Sequence, residues 1–156
     1  MTDPRPGLDG LRTVADYQFG SGAGSALFPA TDGLDVERSR SGRPRQIASD
    51  GGHVATFLTD GRFSLGVEGG RRLRSATSPL AYRVVVGEES EPFVREGRNA
   101  FAKFVLDVDP AVRPGDEVLV VNEDDALLGV GRAELSARGM LDFRTGMAVL
   151  VRDGAG

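Results

Sequence analysis

Leu8, Leu11, Val14, Ala15 and Gln18 recur at helical spacing, which predicts one amphipathic helix over Leu8–Phe19. The glycine-rich stretch Gly20–Gly24 ends it, because glycine is the usual residue beyond a helix C-terminus. A further helical turn is expected over Ser25–Phe28, before Pro29. Residues 1–7 are polar and Pro-rich and are expected to fray. From Leu34 to Ile47 the chain reads as extended, interrupted at Ser41-Gly42. Val54–Leu58 and Arg62–Val67 flank Thr59-Asp60-Gly61, and Phe63, Leu65 and Val67 alternate with Arg62, Ser64 and Gly66, the pattern of a β-hairpin. The stretch Gly69–Ser75 closes this half, and Ala76–Pro79 is the natural linker.

The second half opens with the β-branched strand Tyr82–Val86. Glu91–Glu96 has a proline near its start, an acid in the first turn and Gly97 behind it, the marks of a short helix. Strands are expected over Asn99–Leu106, Glu117–Val121, Ala126–Ala133 and Ala148–Arg152, and a short helix over Leu135–Phe143. Many short strands with Gly/Pro turns and two small helices predict a closed or partly closed barrel, which removes exposed sheet edges. The fold class expected is α+β: a small N-terminal α/β module over residues 1–78, then a β-barrel-like domain with short helices over residues 79–156.

Composition narrows the chemistry. The 156 residues hold no cysteine and one histidine, His53, which excludes a disulfide framework, a thiolate zinc site and a multi-His metal site. His53 lacks a partnered nucleophile in the sequence and reads as a surface turn residue. Glu88-Glu89 and Asp124-Asp125 offer carboxylates for a cation but read as solvated turn acids. Ser21–Gly24 lacks the Lys-Ser/Thr ending of a phosphate-cradling loop and follows a helix rather than opening one. No cofactor is expected. No apolar run approaches the roughly twenty residues that span a bilayer, so a soluble, cytoplasmic protein without a membrane partner is expected.

Charge is unevenly placed. Residues 1–78 carry ten Arg against nine acids, +1; residues 79–156 carry nine basic residues against fourteen acids, −5. The net charge of −4 has the wrong sign for a generic nucleic-acid binder. Eighteen of the nineteen basic residues are Arg, the side chain suited to phosphates and base edges, and Lys103 is the one lysine. Codon bias or a salty cytoplasm accounts for the same usage.

Two stretches are candidates for binding. Gly97-Arg98-Asn99-Ala100 stands where a helix hands over to a strand: the glycine admits a close backbone, Arg98 reaches phosphate, and Asn99 offers a donor and an acceptor. On structure alone, Gly97 merely caps the helix and Arg98 is solvated. In Arg38-Ser39-Arg40-Ser41-Gly42-Arg43-Pro44-Arg45, alternation on an extended chain puts Arg38 with Arg40, and Arg43 with Arg45, on one face. Such a face either grips phosphates or protects an edge strand from aggregation.

The order of these elements in the second half, with Gly97–Val105, Val112–Val121 and Thr145–Arg152, resembles a PUA domain, an RNA-binding module. The first half resembles the domain that precedes PUA in archaeosine tRNA-guanine transglycosylases, through Ala15–Gly20, Leu27-Phe28-Pro29, Ser39–Arg43 and Asp60–Phe63. The resemblance implies an RNA groove with Gly97, Arg98, Asn99, Ala100 and Lys103 on one wall and Val149, Val151 and Arg152 on the other. It also implies structured RNA, tRNA first, as the ligand, and an archaeal source. In the family the catalytic Asp and zinc ligands lie in a separate barrel of roughly 250 residues, so this chain is expected to be non-catalytic. It would serve as an accessory or recognition subunit to an RNA-modification enzyme. The rival expectation is a protein–protein adaptor that docks a catalytic partner through the acidic C-terminal half.

Overall fold

The computed structural model describes residues 7–156; of the stretch 1–7 expected to fray, residues 1–6 lie outside that range. The chain forms two compact units that divide between Ala76 and Thr77.

In the first unit, helices α1 (Leu8–Phe19) and α2 (Ala23–Leu27) precede a meander of four antiparallel strands, β1 (Asp35–Arg38), β2 (Pro44–Ser49), β3 (Gly52–Phe57) and β4 (Phe63–Leu65). The helical spacing of α1 buries Leu11, Ala15 and Phe19, as amphipathic periodicity requires. Gln18, counted in that series, does something else. Its amide donates from Nε2 to the Phe63 carbonyl at 2.9 Å and accepts from the Phe63 N–H at 2.7 Å. The side chain thus pairs with the backbone of β4, the last strand of the sheet, as a neighbouring strand would. Phe63 packs its ring 5.4 Å from Phe28 and 5.1 Å from Phe57, joining α2 to the sheet.

Helix α3 (Val67–Ala76) closes the unit and takes in Val67, which the hairpin pattern places at the end of a strand. It holds Gly69 and Gly70, although glycine is a poor helix former. Packing explains the glycine at 69: a Cβ there would lie 2.0 Å from the Val54 carbonyl oxygen, so only glycine lets α3 lie this close to β3. Gly69→Ala is therefore expected to destabilise the first unit by about 2 kcal/mol, even though the change favours an isolated helix by about 1 kcal/mol. Chemical denaturation measures it, with Gly33→Ala, a position with open space around it, as the control. A stabilised Gly69→Ala protein would refute the close approach.

The second unit holds one six-stranded sheet, ordered β6-β10-β9-β8-β5-β7. Its strands are β5 (Arg83–Val86), β6 (Ala100–Phe101), β7 (Val105–Val108), β8 (Glu117–Val121), β9 (Leu127–Ala133) and β10 (Met147–Gly154). All neighbours are antiparallel except β5 and β8. The single strand expected over Asn99–Leu106 is instead β6, a 3₁₀ turn over Ala102–Phe104, and β7. That break has a purpose: β6 and β7 are the two ends of the sheet, and the turn between them bends the chain round to close the barrel. Helices α4 (Glu91–Arg95) and α5 (Ala137–Asp142) pack on it, and Val84, Val94, Val120, Leu128, Met140 and Val149 fill the core. This is the α+β, barrel-like architecture that the strand pattern predicts. No helix among the described residues is long and apolar enough to cross a membrane.

Candidate nucleic-acid interface

Helix α4 starts with Pro92 in its first turn and stops at Gly97, which adopts φ 91°. The N–H of Gly97 donates to the Val94 carbonyl at 2.9 Å, and that of Arg98 to the Phe93 carbonyl at 2.9 Å, the closure of a glycine-capped helix. Gly97 is thus a helix cap, and the reversal it makes turns Arg98 back over the helix. The Arg98 guanidinium stands 5.8 Å from the Phe93 ring centroid. Asn99 follows, and its Oδ1 accepts from the Val151 N–H at 3.0 Å, so it ties this loop to β10.

Beyond it the 3₁₀ turn swings Lys103 outward, with Nζ 4.9 Å from the Phe104 ring centroid. Ser90, Phe93, Arg98, Asn99, Phe101, Lys103 and Phe104 enclose a pocket of about 360 Å³. Three of these seven residues are phenylalanines, of which Phe93 and Phe101 are 50% and 46% exposed. Exposed phenylalanine rings beside two cations have the chemistry to stack on flat bases and to meet phosphates. Ser90 is buried, and its hydroxyl makes no hydrogen bond among the described residues, leaving a donor and acceptor at the pocket wall. Glu96 approaches Arg98 only to 3.9 Å, between two exposed side chains, and such a pair holds the arginine weakly.

The structure thus brings together Gly97, Arg98, Asn99 and Lys103. It redirects others. Ala100, Val149 and Val151 are buried in the barrel core, so their side chains cannot face a ligand. Along β10, alternation turns 149 and 151 inward and 150 and 152 outward. Arg152 does face out, but its guanidinium is bound to the buried carboxylate of Glu117, which makes it first a support of the β8–β10 face.

The arginine run of the first unit is also reordered. Arg38 ends β1 and Pro44 begins β2, so a turn interrupts the expected alternation. Arg38 donates to the Gly42 carbonyl at 3.0 Å within that turn. Arg43 donates to the carbonyls of Phe57 and Leu58 and lies 4.5 Å over the Phe57 ring, fastening the turn to the end of β3. Arg40 and Arg45 remain exposed, with no hydrogen bond or ion pair among the described residues. Two of the four arginines are therefore available to a ligand. His53, expected in a turn, lies at the exposed start of β3 with Nε2 3.0 Å from the Thr56 hydroxyl.

The pocket phenylalanines escaped the sequence reading, although three of the chain's eight gather there. Their signal was the interleaving Phe93, Arg98, Phe101, Lys103, Phe104, in which ring and cation alternate without a helical or strand period.

Comparison with known proteins identifies the family of both units. Residues 9–79 match the family model described as the patch-forming domain C2 of tRNA-guanine transglycosylase. Residues 82–155 match the PUA domain. The chain is 50% identical over 149 residues to a tRNA-guanine(15) transglycosylase of Methanothermobacter thermautotrophicus, covering 94% of this chain and 22% of the relative. It is 49% identical over 145 residues to the enzyme of the same name from Pyrococcus abyssi, covering 92% and 24%. The chain thus spans less than a quarter of the length of either relative. Among solved structures, a PUA domain protein from Thermoplasma acidophilum superposes with TM-score 0.67 at 20% identity, over 97% of this chain and 92% of its own. A hypothetical protein of Pyrococcus horikoshii superposes with TM-score 0.69 at 21% identity, over 95% and 89%. The fold, the two consecutive family matches and the half-identical archaeal relatives agree: this chain is a PUA-domain protein of the C2–PUA type found in the C-terminal region of archaeal tRNA-guanine(15) transglycosylases.

Proposed function

We propose that this chain is a non-catalytic RNA-binding protein that recognises structured RNA, tRNA first, as the accessory or recognition subunit of an RNA-modification enzyme. The observation that carries the reading is the pocket in which exposed Phe93 and Phe101 and half-buried Phe104 stand beside Arg98 and Lys103. An RNA end is recognised by rings that stack on unpaired bases and by cations and amide groups that meet the phosphates and 2′-hydroxyls. The PUA match and the transglycosylase relatives support RNA as the ligand class, and the names of those relatives point to tRNA. A net negative unit is compatible with this because the charge is segregated: Lys103 has no ion pair among the described residues, whereas Arg83, Arg95, Arg132, Arg138 and Arg152 are each paired to a carboxylate. In this reading Arg40 and Arg45 add phosphate contacts from the first unit.

Binding of the purified chain to total tRNA, against duplex DNA and an unrelated RNA, tests the reading at low and at multimolar salt. Selective retention of tRNA is expected at low salt, weakening as released counterions lose their driving force. Equal affinity for duplex DNA, or no binding at either salt, would overturn it.

A second reading is favoured by one feature. A depression of about 340 Å³ is lined by Leu80 and Leu106 with Asp107, Glu123 and the paired Arg83 and Asp125. An acidic, partly apolar recess suits a basic protein partner, and the chain would then be an adaptor. A stoichiometric protein complex that survives nuclease, and that Leu106→Asp disrupts, is the result expected under that reading.

A further inference from the structure

The turn between α5 and β10 carries apolar side chains that the barrel does not use. Residues 141–146 are all exposed; Leu141 is 52% and Phe143 56% open to solvent. The helix before it is firmly made: the Ser136 hydroxyl accepts from the Gly139 N–H at 3.1 Å, and the Phe143 N–H donates to the Gly139 carbonyl at 2.9 Å. The exposure therefore does not come from a frayed helix end. Arg144 sits in the turn with no ion pair and no hydrogen bond among the described residues.

The turn adjoins the pocket. The Gly146 carbonyl accepts from the Ala102 N–H at 2.9 Å, and Ala102 precedes Lys103 in the 3₁₀ turn. One residue further on, Met147 stands opposite Phe101 in the β6–β10 pair. Paired residues of antiparallel strands lie about 5 Å apart and each strand step adds about 3.4 Å. Arg144 and Phe143 precede Met147 by three and four residues, so even a fully extended path keeps them within about 20 Å of Phe101, close enough for one strand of nucleic acid to reach both places. An exposed ring and a cation without an ion pair, repeated on neighbouring elements of an otherwise acidic unit, match a polyanion carrying flat bases.

We infer that the α5–β10 turn is a second contact for the same RNA, in which Phe143 packs on a base or ribose and Arg144 holds a phosphate of the strand leaving the pocket. The inference rests on the RNA-binding reading above. The pocket takes the unpaired end, and the turn grips the strand that continues from it. RNA with a stem behind its single-stranded end thereby gains over a free short strand, without any base-specific contact from the turn.

The experiment uses the full chain and two probes: an RNA hairpin whose stem ends in a short single-stranded 3′ overhang, and the overhang alone as an oligonucleotide. Phe143→Ala with Arg144→Ala is expected to weaken hairpin binding about tenfold. It is also expected to lower the salt slope of binding by about one phosphate contact, and to leave the oligonucleotide affinity within about twofold. Arg98→Ala with Lys103→Ala is expected to weaken both probes. Hairpin affinity and salt slope unchanged in the turn variant, while the pocket variant loses both probes, overturns the inference and leaves the RNA reading standing. Loss of neither probe in either variant overturns both. If light scattering shows self-association of the wild type that the turn variant abolishes, with RNA affinity unchanged, the face is a protein contact and the inference falls. Arg144→Glu provides the check against misfolding, since an exposed side chain in a turn tolerates reversal of charge; its hairpin affinity is expected to fall at least as far as that of the double alanine variant.

Discussion

Replacing Arg98 and Lys103 together by alanine is expected to weaken tRNA binding between about tenfold and a hundredfold without lowering the unfolding temperature. The magnitude follows from two phosphate-directed cations, each worth about one unit of salt slope, together with loss of the charge over Phe93 and Phe104. Neither side chain supports the fold. Arg98 is paired only with exposed Glu96 at 3.9 Å, and Lys103 has no ion pair among the described residues, so their removal leaves no buried charge behind. The ring contribution separates from the charge contribution in Phe101→Ala. That variant is expected to lose affinity with an unchanged salt slope, because stacking releases no counterions. Titration of tRNA at several salt concentrations reads both quantities. Affinity that is unchanged in the double variant would remove the pocket from the interface.

Asp125→Asn is expected to destabilise the second unit by about 3 kcal/mol. Arg83 is 1% exposed on β5, and its guanidinium meets Asp125 with both nitrogens of one edge, Nε to Oδ1 at 2.6 Å and Nη2 to Oδ2 at 3.1 Å. The other edge donates to the Thr77 hydroxyl at 3.0 Å and the Ala81 carbonyl at 2.9 Å. One buried cation thereby binds the β8–β9 turn and the segment that enters β5. Loss of the carboxylate strands that cation in the barrel wall, and breaking a buried pair from one side costs roughly 3–5 kcal/mol. The lower end applies, since Asp125 is itself 29% exposed and the carbonyl partners remain. Asparagine is the informative substitution because Asp125 has φ 63°, a conformation asparagine tolerates, so backbone strain does not enter. Adding Arg83→Met to Asp125→Asn removes the stranded charge and is expected to recover at least about 1 kcal/mol. Urea denaturation of Asp125→Asn, Arg83→Met and the double variant measures the coupling. A single Asp125→Asn variant within about 0.5 kcal/mol of wild type would show that the pair is hydrated and of little consequence.

Asp125 marks where reading the chain alone stops. Beside Asp124 it looks like a solvated turn acid, and so it would be if Arg83 were not brought against it from 42 residues away. Arg152 is a similar case. Its outward place on β10 follows from alternation, but its engagement with Glu117 depends on β9 setting β8 and β10 on either side of it. Gln18 looked like part of the apolar face of α1 and became the partner of β4. In each case the side chain's role is set by a partner distant in the chain, and no local pattern carries that information.

What the sequence by itself determined is the set of features that arise within a few residues. The amphipathic α1, the hairpin around Asp60-Gly61, the short helix closed by Gly97 and the β-branched strands of the barrel follow from side-chain periodicity and backbone preference, forces that act locally. The order of those elements also carried the PUA resemblance, and with it the position of Arg98, Asn99 and Lys103. Tertiary structure alone decided the rest. Gly69-Gly70 belongs to a helix because β3 leaves no room for a Cβ; the strand after Asn99 breaks because the barrel must close; Ala100, Val149 and Val151 face inward because that closure gives β6 and β10 a core side. The pocket belongs to this second group. Phe93, Phe101 and Phe104 become a binding surface only when the 3₁₀ turn sets them against α4, since burial and exposure are properties of packed neighbours rather than of any residue's own chemistry.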